Sequence, residues 1–231
     1  MNLTNKRIAV TGASGSLGSA IVKGITAAGG TVAAIDRHSS AQELRSLAGV
    51  ELLEGFDLGK AEDATNAIQQ ASTRLGGLDG LVNVAGTFRW ETVEAGSADT
   101  WDLLYRVNLA TAVNASRAAM PVLSKSSAGR IVNIGAAGAL KASKGMGAYA
   151  ASKAGVIKLT EALAEETKAR GITVNAVLPS IIDTAANRAD IPNGKFETWV
   201  RPEQIADLIV FLLSDRASAI TGAAIPIVGR V

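Results

Sequence analysis

Short apolar runs alternate along this chain with longer stretches whose apolar positions recur at helical spacing. Runs at 7–11, 31–35, 50–53, 80–84, 130–134 and 172–178 predict β-strands, with a last one at 224–228. Helical patterns occupy 17–28, 41–47, 61–75, 100–123, 149–169 and 202–214. Neighbouring strand residues such as Leu81 and Val82, or Ile131 and Val132, are both apolar. Strands covered by helices on both faces of a parallel sheet read this way. Repeated β-then-α alternation predicts a doubly wound α/β sheet of about seven strands, with right-handed crossovers sending helices to both faces. No linker or internal repeat interrupts residues 1–231, so one domain is expected. Only 179–201 lacks clear periodicity, and a loop that long inside a compact domain is usually functional.

Apolar residues make up 48% and charged residues 19% of the chain's 231 positions, which excludes a disordered tail or scaffold. There is no cysteine, so a disulfide framework, a thiolate nucleophile, a zinc–thiolate site and an iron–sulfur cluster are excluded. With His38 the single histidine, a histidine metal site is not expected either. His38 follows the second strand and is assigned no chemistry. A net charge of +2 implies no clustered basic face of the kind that nucleic acid requires. The opening stretch from Met1 to Arg7 lacks the apolar core of a secretory signal. No segment approaches the ~20 apolar residues of a membrane helix; 205–213 is short and carries Asp207. The expected protein is soluble and cytoplasmic, with no metal, membrane or nucleic-acid partner.

Candidate chemistry begins at the end of the first strand, with Thr11-Gly12-Ala13-Ser14-Gly15-Ser16-Leu17-Gly18. Glycines between a strand and a helix let the backbone approach a pyrophosphate, while the helix N-terminus supplies amide donors and positive partial charge. The second strand ends in Asp36, about 20 residues on, where the ribose of an adenosine would lie. A carboxylate there accepts from the 2′- and 3′-hydroxyls and repels a 2′-phosphate; Arg37, next in sequence, would attract that phosphate. NAD(H) is therefore favoured, with NADP(H) left open.

Tyr149 and Lys153 stand four apart at the start of a helical pattern, so phenol and ammonium share one face. A lysine ammonium stabilises phenolate and draws the tyrosine pKa down from near 10 toward the working range. Upstream lie Asn83-Val84-Ala85-Gly86 at a strand end and Asn108 within the long helical pattern. With Leu78-Asp79-Gly80-Leu81-Val82, Val107-Asn108-Leu109, Gly129-Arg130-Ile131-Val132-Asn133-Ile134 and Val174-Asn175-Ala176-Val177-Leu178-Pro179, the chain resembles the short-chain dehydrogenase/reductase family over essentially its full length.

That resemblance implies a single-domain Rossmann fold and hydride exchange between a nicotinamide cofactor and a small-molecule substrate. Tyr149 would exchange the substrate proton, Lys153 would hold the nicotinamide ribose and lower the tyrosine pKa, and Asn108 would organise a relay water. Gly12, Ser14, Gly15, Ser16, Leu17 and Gly18 would hold the pyrophosphate. Asp57 and Leu58 would lie by the adenine, Asn83, Ala85, Gly86, Pro179 and Ile182 would contact the cofactor, and Thr184 would lie by the nicotinamide carboxamide. The family habit also implies a homodimer or homotetramer paired through the helices at 100–123 and 149–169.

Two departures stand out. Family members usually carry a serine thirteen residues before the tyrosine; here that residue is Ala136. Losing one such donor can lower a rate by about 10²–10³. Ser143 and Ser152 are the nearest hydroxyls in sequence, but loop placement and helix packing account for them more simply. The glycine loop also differs from the commoner TGxxxGxG. Both departures, with Gly145-Met146 and the run Asp183-Thr184, Asn187-Arg188, Pro192, Phe196 and Trp199, resemble the dihydropteridine reductase branch, which implies a quinonoid substrate. Phe88, Trp90, Phe196 and Trp199, falling after strands in a chain poor in aromatics, are read with Ala136 as substrate-pocket lining. The alternative is a non-catalytic dinucleotide-binding or regulatory protein, in which Ala136 marks lost chemistry.

Overall fold

Strand β1 (Arg7–Thr11) lies at the middle of the sheet, and the chain builds outward from it in both directions. The computed structural model describes residues 1–38 and 42–231. Among these, β2 (Thr31–Asp36), β3 (Val50–Glu54), β4 (Gly80–Asn83), β5 (Arg130–Ile134), β6 (Thr173–Pro179) and β7 (Ala224–Ile227) complete one sheet. Its order is β3-β2-β1-β4-β5-β6-β7, with every neighbouring pair parallel. β2 and β3 wind off one side of β1 and β4 onward off the other, so a crevice opens between the carboxyl ends of β1 and β4. Thr11 pairs in register with both Ile35 and Asn83 there.

Helices cover both faces, as the consecutive apolar residues require. α1 (Ser16–Ala27) packs against α8 (Pro202–Leu213) on one face, with Ile21, Val22, Ile25, Ile205 and Ile209 buried between them and the sheet. α3 (Ala61–Leu75) packs against α5 (Thr111–Leu123) on the other, which α6 (Gly147–Thr167) also covers. Small residues let the helices sit close: Ala64, Ala67 and Ala71 of α3 face Ala115 and Ala119 of α5 within one core. At the amino end of the sheet, Asp79 accepts from Arg7 Nε at 2.8 Å and from Ser126 Oγ at 2.7 Å. Burial works to raise the Asp79 pKa, but these donors hold it below the usual carboxylate range.

Three predicted segments come out differently. The pattern at 100–123 is not one helix: α4 (Ala98–Leu104) passes through a π-helical turn, Tyr105–Ala110, into α5. A π-turn admits one more residue per turn than its neighbours and recurs at functional positions; this one carries Asn108. Thr111 Oγ1 donates to the Val107 carbonyl at 2.7 Å where the winding changes. The stretch at 179–201 is structured too. It holds α7 (Ala185–Asp190) and a 3₁₀ turn at Phe196–Thr198, and is closed at its base by a parallel bridge between Ile182 and Val200. The helix expected at 41–47 is the single turn α2 (Gln42–Arg45), and residue 41 lies outside the described residues. No helix among the described residues is long and apolar enough to cross a membrane.

Candidate active site

The glycine loop fills the crevice. Gly12 has φ +63, a left-handed conformation, and a Cβ there would stand 2.8 Å from the Ala85 backbone. A Cβ on Gly18 would be 2.1 Å from the Gly12 carbonyl. These two positions therefore need glycine for close packing, whereas Gly15 and Ser16 stay exposed. Thr11 Oγ1 accepts from the Val84 and Ala85 amides at 3.1 and 3.3 Å, joining the loop to the end of β4. Gly15 is the N-cap of α1 without a side-chain cap, and the first turn holds no acidic residue. Unpaired amides at an uncapped helix start fit a pyrophosphate. Asp36 Oδ2 accepts from the Ser14 amide at 3.0 Å and Oδ1 from the Arg37 amide at 2.7 Å, so the carboxylate sits at the loop's edge. Ala13, Ser14, Asp36 and His38 line a small cavity at that edge. The uncapped helix start and the small, close-packed loop have the chemistry to hold a dinucleotide.

The chemistry-bearing side chains gather at the end of β4. Tyr149 and Lys153 lie on the first turns of α6, and Lys153 Nζ donates to the Ile134 carbonyl at 2.7 Å. Gly86 is where Lys153 meets Asn108: a Cβ on it would lie 3.0 Å from Asn108 Oδ1 and 3.3 Å from Lys153 Nζ. Asn108 is only 1% exposed, and both ends of its carboxamide bind protein. Oδ1 accepts from the Thr87 amide at 2.7 Å, and Nδ2 donates to Ser152 Oγ at 2.9 Å. Ser152 Oγ donates in turn to the Tyr149 carbonyl at 2.8 Å. The Asn108 side chain thus works as a clamp on protein groups at both ends.

Burial sets the protonation states. It pushes the Tyr149 phenol up to about 12 and the Lys153 ammonium down to about 8. The expected lowering of the tyrosine pKa by Lys153 is therefore not met in the protein alone, because desolvation favours the neutral form of each group.

The remaining expected residues divide. Phe88 stacks edge-on against Tyr149, with ring centroids 4.9 Å apart, and is half exposed. Trp90 lies over Gly145, where a Cβ would stand 2.1 Å from the indole, and the left-handed φ of +78 there favours glycine as well. Ala136 is buried just beyond β5. Phe196 holds Arg188 over its ring at 4.7 Å, and Arg188 pairs with Asp183. Trp199 is a different case. It is 6% exposed and packs edge-on against Phe196 and over Gly194, so it builds the interior of its loop rather than an open wall, because the loop has a core of its own. Pro179 is buried at the end of β6, Ile182 forms the bridge to Val200, and the Thr184 hydroxyl caps α7 by accepting from the Asn187 amide at 3.2 Å. Leu58 is buried, while the Asp57 carboxylate is taken up by Arg106 and the Gly59 amide.

Sequence reasoning passed over Thr87, Arg106, Asn114 and the bonded role of Ser152. Only Ser152 left a local signal, standing three residues after Tyr149 on the same helix.

Fold and site together define a Rossmann-type oxidoreductase. The model of the short chain dehydrogenase family matches residues 6–193, and the chain belongs to that family. It is 36% identical to 2-(S)-hydroxypropyl-CoM dehydrogenase 3 of Xanthobacter autotrophicus, over 98% of this chain and 96% of that protein. It is 34% identical to the acetoacetyl-CoA reductase of Shinella zoogloeoides, over 94% of each. The crystal structure of a short chain dehydrogenase from Burkholderia cenocepacia in complex with NADP superposes with a TM-score of 0.87 at 32% identity, covering 99% of this chain and 98% of that one.

Proposed function

We propose that this protein is an NADH-linked reductase of a small carbonyl or quinonoid substrate, with Tyr149 as proton donor. The carrying observation is that Lys153, one helical turn after Tyr149 and anchored on the Ile134 carbonyl, meets the clamped Asn108 at Gly86, next to the Ala85 backbone against which Gly12 packs. When bound, the nicotinamide supplies the hydride. The protein's residues do the rest. The loop from Gly12 to Gly18 and the start of α1 take the pyrophosphate, Asp36 takes the adenosine ribose hydroxyls and repels a 2′-phosphate, and Lys153 faces the second ribose. Burial keeps the Tyr149 phenol protonated, the form that can donate, and Lys153 beside it steadies the phenolate left behind.

Ala136 narrows the substrate. With methyl in place of the usual hydroxyl, Tyr149 is the donor on which the substrate must rely. Ketone and quinonoid ring each take one hydride and one proton, but a ketone oxygen that would accept from two donors has one here. A quinonoid ring of the dihydropteridine kind, protonated through Tyr149 alone, fits this better. Because relatives are named an acetoacetyl-CoA reductase and a 2-(S)-hydroxypropyl-CoM dehydrogenase, keto and hydroxy compounds belong in the same test panel. We further propose that the protein is a homodimer or homotetramer, with the exposed Trp101 and Tyr105 in the contact between copies.

The test is steady-state turnover of quinonoid dihydropterin and of a ketone panel, each with NADH and with NADPH. Quinonoid turnover with a higher kcat/KM for NADH supports the reading. Brisk ketone reduction without quinonoid turnover overturns its substrate half, and a preference for NADPH overturns its cofactor half. Tight NADH binding with no turnover at all would leave the protein a binding module.

A further inference from the structure

Two side chains tie the helix segment that carries Asn108 to the adenosine end of the cleft. From the π-helical turn, Arg106 reaches Asp57 Oδ2 at 2.5 Å. Further along, in α5, Asn114 Nδ2 donates to the Leu58 carbonyl at 3.0 Å. The turn they grip is itself firm: Asp57 Oδ1 accepts from the Gly59 amide at 3.1 Å, and the Asp57 amide donates to Asp63 at 3.1 Å. Arg106 also lies over Gly59, where a Cβ would come within 2.9 Å of its Nε. Burial works to raise the Asp57 carboxyl, but the Gly59 amide, Arg106 and more distant Arg37 hold it below the usual range, so the carboxylate stays charged at neutral pH.

Asn108 sits between these two tethers and holds the other end of the cleft through Thr87 and through Ser152 to Tyr149. One short helix segment therefore grips both ends. The segment begins in the π-turn, an irregularity that recurs at functional positions, and coupling between the two ends requires this turn to have two arrangements.

We propose that Arg106 and Asn114 are positioning residues that couple filling of the adenosine end to the clamp on Tyr149. This rests on the reading that the cleft takes a dinucleotide. Adenosine groups settling on Asp57 and Leu58 shift the turn, the two tethers carry that shift into the π-turn, and Asn108 tightens on Thr87 and Ser152. The adenine half of the cofactor then prepares the catalytic end before the nicotinamide half is in place.

The Thr87 amide reports on this directly, since its proton is held by Asn108. The probe is adenosine diphosphate, which carries the adenine half and no nicotinamide, read by amide hydrogen exchange and by titration calorimetry. In the wild type, it slows exchange at 57–59 and also at Thr87 and 149–153, by about threefold or more. In Arg106→Leu and in Asn114→Ala, adenosine diphosphate still binds, but protection at Thr87 and 149–153 is lost; Arg106→Lys restores part of it. With NADH and substrate, Arg106→Leu lowers kcat as well as raising KM, whereas a residue serving adenine contact alone moves KM only. Lys168→Ala, which breaks an exposed ion pair with Glu165, leaves all these readouts unchanged. Wild-type protection confined to 57–59, or full distal protection in both variants, overturns the coupling. Failure of the wild type to bind either NADH or adenosine diphosphate overturns the dinucleotide reading instead, and the coupling with it.

Discussion

Tyr149 and Lys153 are held in a place that favours their neutral forms, and this shapes what each does. The Tyr149 ring packs on Phe88, and its hydroxyl is the proposed proton donor, so Tyr149→Phe keeps the packing and removes the proton. That variant should lose turnover while its NADH dissociation constant, read by fluorescence titration, stays within about threefold; retained activity would reassign the donor. Lys153 is 5% exposed with its pKa lowered to about 8. Between that value and its ordinary 10.5, the unfolded chain binds the proton that the folded protein has released. Stability therefore rises with pH through this window and is lowered below it. A shift of this size corresponds to about 3 kcal/mol. The raised Tyr149 pKa acts oppositely above pH 10, where the unfolded phenol ionises first. Lys153→Met should accordingly be more stable than the wild type at pH 7, and the advantage should shrink between pH 8 and 10 in denaturant titrations. An advantage independent of pH would mean that the buried ammonium is not its source.

At the scale of elements, β5 and its following loop supply two features to the site. The Ile134 carbonyl anchors Lys153, and Ala136 lies two residues beyond. A serine hydroxyl at 136 would add a donor beside the phenol. Ala136→Ser should raise kcat/KM for simple ketones by about tenfold or more, since one well-placed donor can supply up to ~3–4 kcal/mol in the transition state. The same variant should leave quinonoid reduction unchanged or lower. Equal gains for both substrate types would show that the two share one hydrogen-bonding demand. The other decisive element is the π-turn, which interrupts a helix that would otherwise run smoothly from α4 into α5 and brings Asn108 between Thr87 and Ser152.

For the molecule as a whole, the parallel sheet places the carboxyl ends of β1 to β6 along one rim, and the candidate site residues come from that rim, the loops beyond it or the helices rising from it. The opposite, amino end is fastened by Arg7, Asp79 and Ser126. Between α4 and the π-turn, Trp101, Leu103 and Tyr105 stand partly in solvent, a large apolar exposure for one short segment. In sedimentation experiments the wild type should run as a dimer or tetramer, and Trp101→Glu combined with Tyr105→Glu should shift it toward monomer without loss of helical content. A monomeric wild type would dismiss the pairing.

The sheet, its winding and the main site motifs were legible from residue order, because they rest on local periodicity. Leu81-Val82 and Ile131-Val132 announce strands covered on both sides, the glycines after β1 announce a close backbone approach, and Tyr149 with Lys153 shares a helix face by spacing alone. What the tertiary structure decided depends on partners far apart in sequence. Arg106 meets Asp57 across 49 residues and Asn114 meets Leu58 across 56, and no local pattern records either pairing. The π-turn carries Asn108, which bonds Thr87 and Ser152 together, an arrangement invisible in a helical repeat. The loop at 179–201 acquires order only when Val200 returns to pair with Ile182 and Trp199 closes over Gly194. The protonation states followed burial rather than the neighbouring charge, since solvent exclusion is a property of the packed whole and not of the four-residue spacing that brings phenol and ammonium together.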